Sequence, residues 1–185
     1  MSAFTVEHLG SGGKELFTLF GVKYVATRWA WVNVALTLVC GVAVARVFHG
    51  ELPLPRQLLA GLAFAILIQL GMACHGLGHV LSSRLVGAPM QSLVMTATVS
   101  VARYEDRGPL PRRVHIGRAL GGPALNLALA AAALTVWSVE GGAFVAFFGV
   151  LNALLGVVTV LPIPSLDGAV IWLGAGGSRD SLREP

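Results

Sequence analysis

Four runs without a charged side chain, at about residues 29–45, 58–82, 119–139 and 141–166, govern what this chain can fold into. A hydrocarbon core about 30 Å thick is crossed by about twenty helical residues. In lipid every backbone polar group needs an internal partner, which leaves helices or closed barrels, and runs of this length are helical. Only 12% of the residues are charged, about half the usual share of a soluble domain. The expected architecture is an α-helical integral membrane protein with about four transmembrane helices and no separate soluble domain. An arm at 1–23 precedes a single transmembrane domain at 24–178, and a tail follows at 179–185. The first apolar run starts near residue 24 behind a polar segment and shows no cleavage pattern, so it is not read as a signal peptide.

The formal charge of +4 points to membrane orientation rather than to nucleic acid, because of where the cations fall. Lys14, Lys23 and Arg28 precede the first run. Arg84, Arg103, Arg107, Arg112, Arg113 and Arg118 lie between the second and third, and Arg179 and Arg183 are in the tail. With four spans these share one side of the bilayer, and only Arg46 and Arg56 take the other. The positive-inside rule then places both termini in the cytoplasm.

Between the spans, the stretch at 95–101 reads Met-Thr-Ala-Thr-Val-Ser-Val. Its alternation of apolar and polar residues predicts a strand of a small hairpin between the second and third spans. Such a strand can cap the bundle or offer an edge to an extended peptide. Gly10 to Lys14 is no phosphate loop, since His8 and Glu15 occupy positions where that pattern needs Gly and Ser or Thr. A surface-lying arm is expected there. Cys40 and Cys74 each sit inside a span and read as small apolar residues, not a disulfide pair. His8, His49 and His115 read as loop or interface residues.

The second run ends in Cys74-His75-Gly76-Leu77-Gly78-His79. Imidazoles four residues apart share a helix face and can reach one metal ion. In the zinc-protease form of this spacing, His-Glu-x-x-His, the second residue is a Glu that activates water. Here that position is Gly76. The third span is expected to open at Gly121-Gly122-Pro123, with Pro123 in its first turn. Asn126 follows as an amide inside hydrocarbon, either a helix–helix hydrogen bond or part of a site. The fourth span ends in Leu161-Pro162-Ile163-Pro164-Ser165-Leu166-Asp167-Gly168. Prolines at membrane depth require the segment to be buried or to line a cavity, and Asp167 is an ionisable group at that place. Two imidazoles and a carboxylate form a three-ligand set with an open fourth position.

These motifs together resemble the site-2 protease family of intramembrane zinc metalloproteases. His75 to His79 resembles its HExxH, Gly121 to Asn126 its Gly-Pro-x-x-Asn, and Leu161 to Gly168 its Pro-x-Pro-x-Leu-Asp-Gly, over about residues 57–173. The resemblance implies that zinc is held by His75, His79 and Asp167. It implies that Asn126 helps to position substrate near the site, and that the strand at 95–101 holds an unwound substrate at the membrane surface. Gly76 departs from the family, whose Glu at this position takes a proton from water and passes it to the leaving amine. A general base contributes about 10²–10⁴-fold, and no neighbour in sequence replaces it.

Three functions follow as expectations. The first is a zinc-binding relative impaired in proteolysis, with no certain catalytic residue, that acts by binding a membrane protein partner in the bilayer. The second is an active intramembrane metalloprotease that compensates for Gly76 or in which that residue was introduced. The third is a structural subunit of a larger membrane complex, whose His pair ligates a haem or chlorophyll-type pigment or nothing.

Overall fold

The computed structural model describes residues 13–106 and 108–173. Nine elements follow in the order β1 (Lys14–Leu19), β2 (Val22–Ala26), α1 (Ala30–Phe48), α2 (Leu54–Leu85), β3 (Ser92–Met95), β4 (Ser100–Arg103), α3 (Arg112–Glu140), α4 (Ala143–Val158) and α5 (Asp167–Leu173). They fall into two compact units. One comprises the residues up to Ile66 with Met90–Glu105, the other Leu67–Pro89 with the residues from Asp106 onward. Helix α2 contributes to both.

The first unit holds a four-stranded sheet in the order β1-β2-β3-β4. Residues expected to lie in a surface arm instead form a hairpin, with Phe20 and Gly21 both at positive φ (48° and 64°). That pair of dihedrals makes the tight turn that suits strand twist. Phe17 stacks on Tyr24 across the hairpin at 4.7 Å. The remainder of the Gly10 to Lys14 piece, at 10–12, and the tail at 179–185 lie outside the described residues. Strands β2 and β3 pair in parallel, an arrangement that needs a long crossover, here the chain that includes α1 and α2. The stretch at 95–101 is not one strand. It straddles the turn between β3 and β4, where Thr96 closes a loop on the Val99 carbonyl through both its backbone N–H (3.0 Å) and its hydroxyl (2.6 Å).

Helices α1 and α2 meet backbone to backbone in this unit. A Cβ on Gly61 would lie 2.9 Å from the Val42 Cα, and one on Gly41 would strike the Gly61 carbonyl. Gln57 closes their connection. It accepts from Arg46 Nη1 at 2.9 Å and donates to the Gly50 and Leu52 carbonyls at 2.9 and 2.7 Å.

Among the described residues three helices are long and apolar enough to cross a membrane: α1, α2 and α3. The run at 141–166 is not helical throughout. Helix α4 spans 16 residues, about 24 Å at the helical rise, and ends before the prolines that follow. Helix α3 in turn begins earlier than expected, at Arg112. Pro123 therefore lies in its interior, where its ring removes one helical hydrogen bond, and not in a first turn.

In the second unit, α3 and α4 form an antiparallel pair joined at Gly141 and Gly142, both at positive φ. Small residues set the spacing: Cβ atoms on Gly149 and Gly156 would lie 2.8 and 2.7 Å from Leu134 and Leu127. Helices α2 and α3 touch through Gly78 and Gly121, where a Cβ on either would run into the other's carbonyl. This close approach carries His75 and His79 onto the face of α3.

Candidate metal centre

His75 and His79 sit one turn apart on α2, with their rings nearly perpendicular and centroids 4.7 Å apart. Both present Nε2 to the same point, 3.1 Å from each other. Asp167, the first residue of α5, splits its carboxylate between them: Oδ2 lies 3.1 Å from His75 Nε2 and Oδ1 lies 3.3 Å from His79 Nε2. The turn before it is tightly specified. Ser165 holds a positive φ of 78°, the Gly168 N–H donates to the Thr159 carbonyl at 2.7 Å, and a Cβ on Gly168 would collide with the Val160 and Leu161 carbonyls. Chain strained in this way persists only where its surroundings over-determine it.

The far nitrogens of the two rings fix their tautomers. His75 Nδ1 faces Asn126 Oδ1 at 2.6 Å, and His79 Nδ1 faces the Arg118 carbonyl at 2.8 Å. Both partners are acceptors, so each neutral ring carries its proton on Nδ1 and turns a lone pair inward from Nε2. Two lone pairs and a carboxylate within 3.3 Å repel one another unless something positive lies among them. A metal 2.0–2.1 Å from each of three ligands in tetrahedral geometry would set them about 3.3 Å apart, close to the spacings here. The space is kept open by Gly122, where a Cβ would lie 2.5 Å from Nε2 of both rings. His75, His79 and Asp167 thus form a group that can hold a metal ion.

Asn126 is fully buried and reaches further than the site. Its Nδ2 donates to Asn152 Oδ1 at 2.6 Å and to the Gly71 carbonyl at 3.2 Å. Arg118, 3% exposed, holds the segment that carries the other acceptor. Its guanidinium grips both oxygens of Asp106 at 2.9 and 2.6 Å and the Ala88 carbonyl at 2.8 Å. Gly76 is buried in α2 and offers no side chain to the group.

All four residues singled out in the sequence as metal-binding or substrate-positioning (His75, His79, Asn126 and Asp167) are brought together. Asn152, Gly122 and the Arg118 carbonyl are additions. Asn152 had a signal, a lone amide inside an uncharged run, which is the signal that picked out Asn126. A backbone carbonyl has none.

Membrane-length helices and a largely buried His/His/Asp group define a polytopic membrane protein with a candidate metal centre on a site-2-protease-like fold. That likeness is to a solved structure, the site-2 protease from Methanocaldococcus jannaschii, with a TM-score of 0.62 over 86% of this chain and 69% of that one. Sequence identity is 18%, so the likeness establishes the fold alone. No protein-family model matches the chain, and no curated protein matches it.

Proposed function

We propose that this protein is a zinc-binding, site-2-protease-like membrane protein that is impaired in peptide hydrolysis and acts by binding a membrane protein partner. The observation that carries the metal half is the inward-facing set of two Nε2 lone pairs and one carboxylate, each imidazole held by an acceptor at Nδ1. Zinc there would supply Lewis-acid polarisation of a carbonyl and would acidify a water. The chain's own residues do the rest: His75, His79 and Asp167 hold the ion, and Asn126 orients His75 and lies beside the substrate. A pigment fits less well, because both Nε2 atoms converge on one point against the backbone of Gly122, which suits an ion and not a macrocycle.

Impairment rests on Gly76. Nothing at that position accepts a proton, and Asp106 in the second unit is already engaged by Arg118. The intact ligand set favours a second reading, an active protease with a base supplied from elsewhere. In both readings the run at 141–166 completes a fourth crossing through α4 and the proline segment, and both termini face the cytoplasm.

The deciding experiment measures metal in the detergent-purified protein by mass spectrometry, beside His79→Ala, and cleavage of a single-span substrate with and without Gly76→Glu. The expected result is about one zinc per chain, lost in His79→Ala, with no cleavage by the parent and partial cleavage by Gly76→Glu. Absence of metal from the parent overturns the zinc reading. Cleavage by the parent that His79→Ala abolishes overturns the impaired reading in favour of the active one.

A further inference from the structure

Helix α4 supplies no ligand to the metal centre, yet it carries a polar side chain as fully buried as any among the described residues. Asn152 is 0% exposed, as is Asn126. An amide buried among apolar helices is costly unless both its ends are satisfied. Both ends of Asn152 are. Its Nδ2 donates to the Phe148 carbonyl one turn back at 2.8 Å, and its Oδ1 accepts from Asn126 Nδ2 at 2.6 Å.

The polarity of this chain runs in one direction only. The Phe148 carbonyl is an acceptor, so Asn152 must turn Nδ2 toward it and Oδ1 toward α3. Asn126 must then meet Asn152 with Nδ2 and His75 with Oδ1. His75 in turn must donate from Nδ1, while its Nε2 faces Asp167 Oδ2 at 3.1 Å. The backbone carbonyl of Phe148 thus dictates, through two amides, that an acceptor meets His75 Nδ1. The Gly71 carbonyl supports the same orientation of Asn126 from the other side, at the longer distance of 3.2 Å.

We infer that Asn152 is a positioning residue for the metal centre, holding the Nδ1 side of His75 by orienting Asn126. It touches neither His75 nor Asp167 and acts only through Asn126. His79 lies outside its reach, because its Nδ1 is held independently by the Arg118 carbonyl. This asymmetry separates a positioning role from a merely structural one. Loss of packing would loosen both imidazoles, whereas loss of the relay alters His75 alone. The inference extends the zinc reading above, but its first readout needs no metal, so the two can fail separately.

The test uses the full-length protein in detergent, ¹⁵N-labelled at histidine and free of metal, with Asn152→Leu as the variant. The expected result is that the imidazole nitrogen signals of His75 move away from those of the parent, while those of His79 stay in place. Titration of the same samples with Zn²⁺ against a chelator is expected to show affinity reduced by about tenfold, the lower range for loss of an outer-shell partner. Asn152→Ser serves if the Leu variant does not fold: its hydroxyl can return to the Phe148 carbonyl one turn back but is too short to reach Asn126. It is expected to move the His75 signals in the same way. An unchanged His75 in a folded variant, or His75 and His79 shifting together, overturns the inference. Absence of zinc binding by the parent overturns the metal reading and leaves the imidazole result to stand on its own.

Discussion

His79 donates from Nδ1 to the main-chain carbonyl of Arg118 at 2.8 Å, so a metal-facing tautomer is set by a group that no side-chain substitution removes. What a substitution can remove is the grip that holds this carbonyl in place. The Arg118 guanidinium is buried against Asp106 and Ala88, and a hydrogen bond made by a charged group contributes about 1.5–3 kcal/mol. Arg118→Met is therefore expected to lower the unfolding midpoint in detergent steeply, and Asp106→Asn on the same background to restore part of the loss. Protein that remains folded should keep its zinc stoichiometry, since the acceptor is still present.

Gly122 has the opposite profile, with a small effect on the fold and a large one on the site. A methyl group at that position would lie 2.5 Å from both Nε2 atoms, occupying the space that an ion needs. Gly122→Ala is expected to weaken Zn²⁺ binding by at least about a hundredfold, comparable to loss of a ligand's alignment, while helical circular dichroism stays near that of the parent. Full metal content in the purified variant would show that the ion sits elsewhere.

How far the sequence foretold the structure depends on the kind of signal involved. His75, His79 and Asp167 were identifiable because ionisable side chains inside or directly closing uncharged runs have few purely structural uses. Helix existence was equally plain, but its ends were not. The cations at 112–118 fall outside the uncharged run that marked the third span, yet they form the first turns of α3. The stretch at 95–101 alternates like a strand, and the reversal shows only in the bonds of the Thr96 N–H and hydroxyl to the Val99 carbonyl. In β1 the alternation is broken by a bulge between Glu15 and Phe17, which hid the hairpin behind an apparently mixed arm. Gly122 and the Arg118 carbonyl act through absence of a side chain and through the backbone, and neither leaves a residue-type signature.

The β1–β2 hairpin gives a pH-dependent prediction outside the membrane spans. The Thr18 hydroxyl donates to Glu15 Oε1 at 3.0 Å and Lys23 lies 3.2 Å from Oε2. The hydroxyl first, and then the ammonium, hold the Glu15 carboxyl below the ordinary carboxylate value. A depressed folded-state value stabilises the hairpin above the unfolded pKa, and that contribution fades as pH falls through the folded one. Because the carboxyl is exposed, the effect on global stability should be negligible. A carboxyl-carbon NMR titration is expected to place the Glu15 midpoint low, and Thr18→Val and Lys23→Met should each raise it. A midpoint unmoved by either substitution would sever the carboxyl from both partners.

Contact between α1 and α2 in the first unit depends on two missing side chains. A Cβ on Gly41 would strike the Gly61 carbonyl and lie 2.7 Å from the Ala65 backbone nitrogen. These obstacles are main chain, which cannot rotate aside, so the helices would have to separate. Gly41→Val is expected to destabilise by about 1–3 kcal/mol, the range for overpacking a close contact, with more if the Arg46–Gln57 bond at the end of the pair is also lost. Val39, 68% exposed on the same helix, provides the comparison, since Val39→Leu adds bulk where there is no neighbour to displace. Equilibrium unfolding in mixed micelles should separate the two variants clearly. Equal midpoints for both would mean that α1 is not packed against α2 through Gly41.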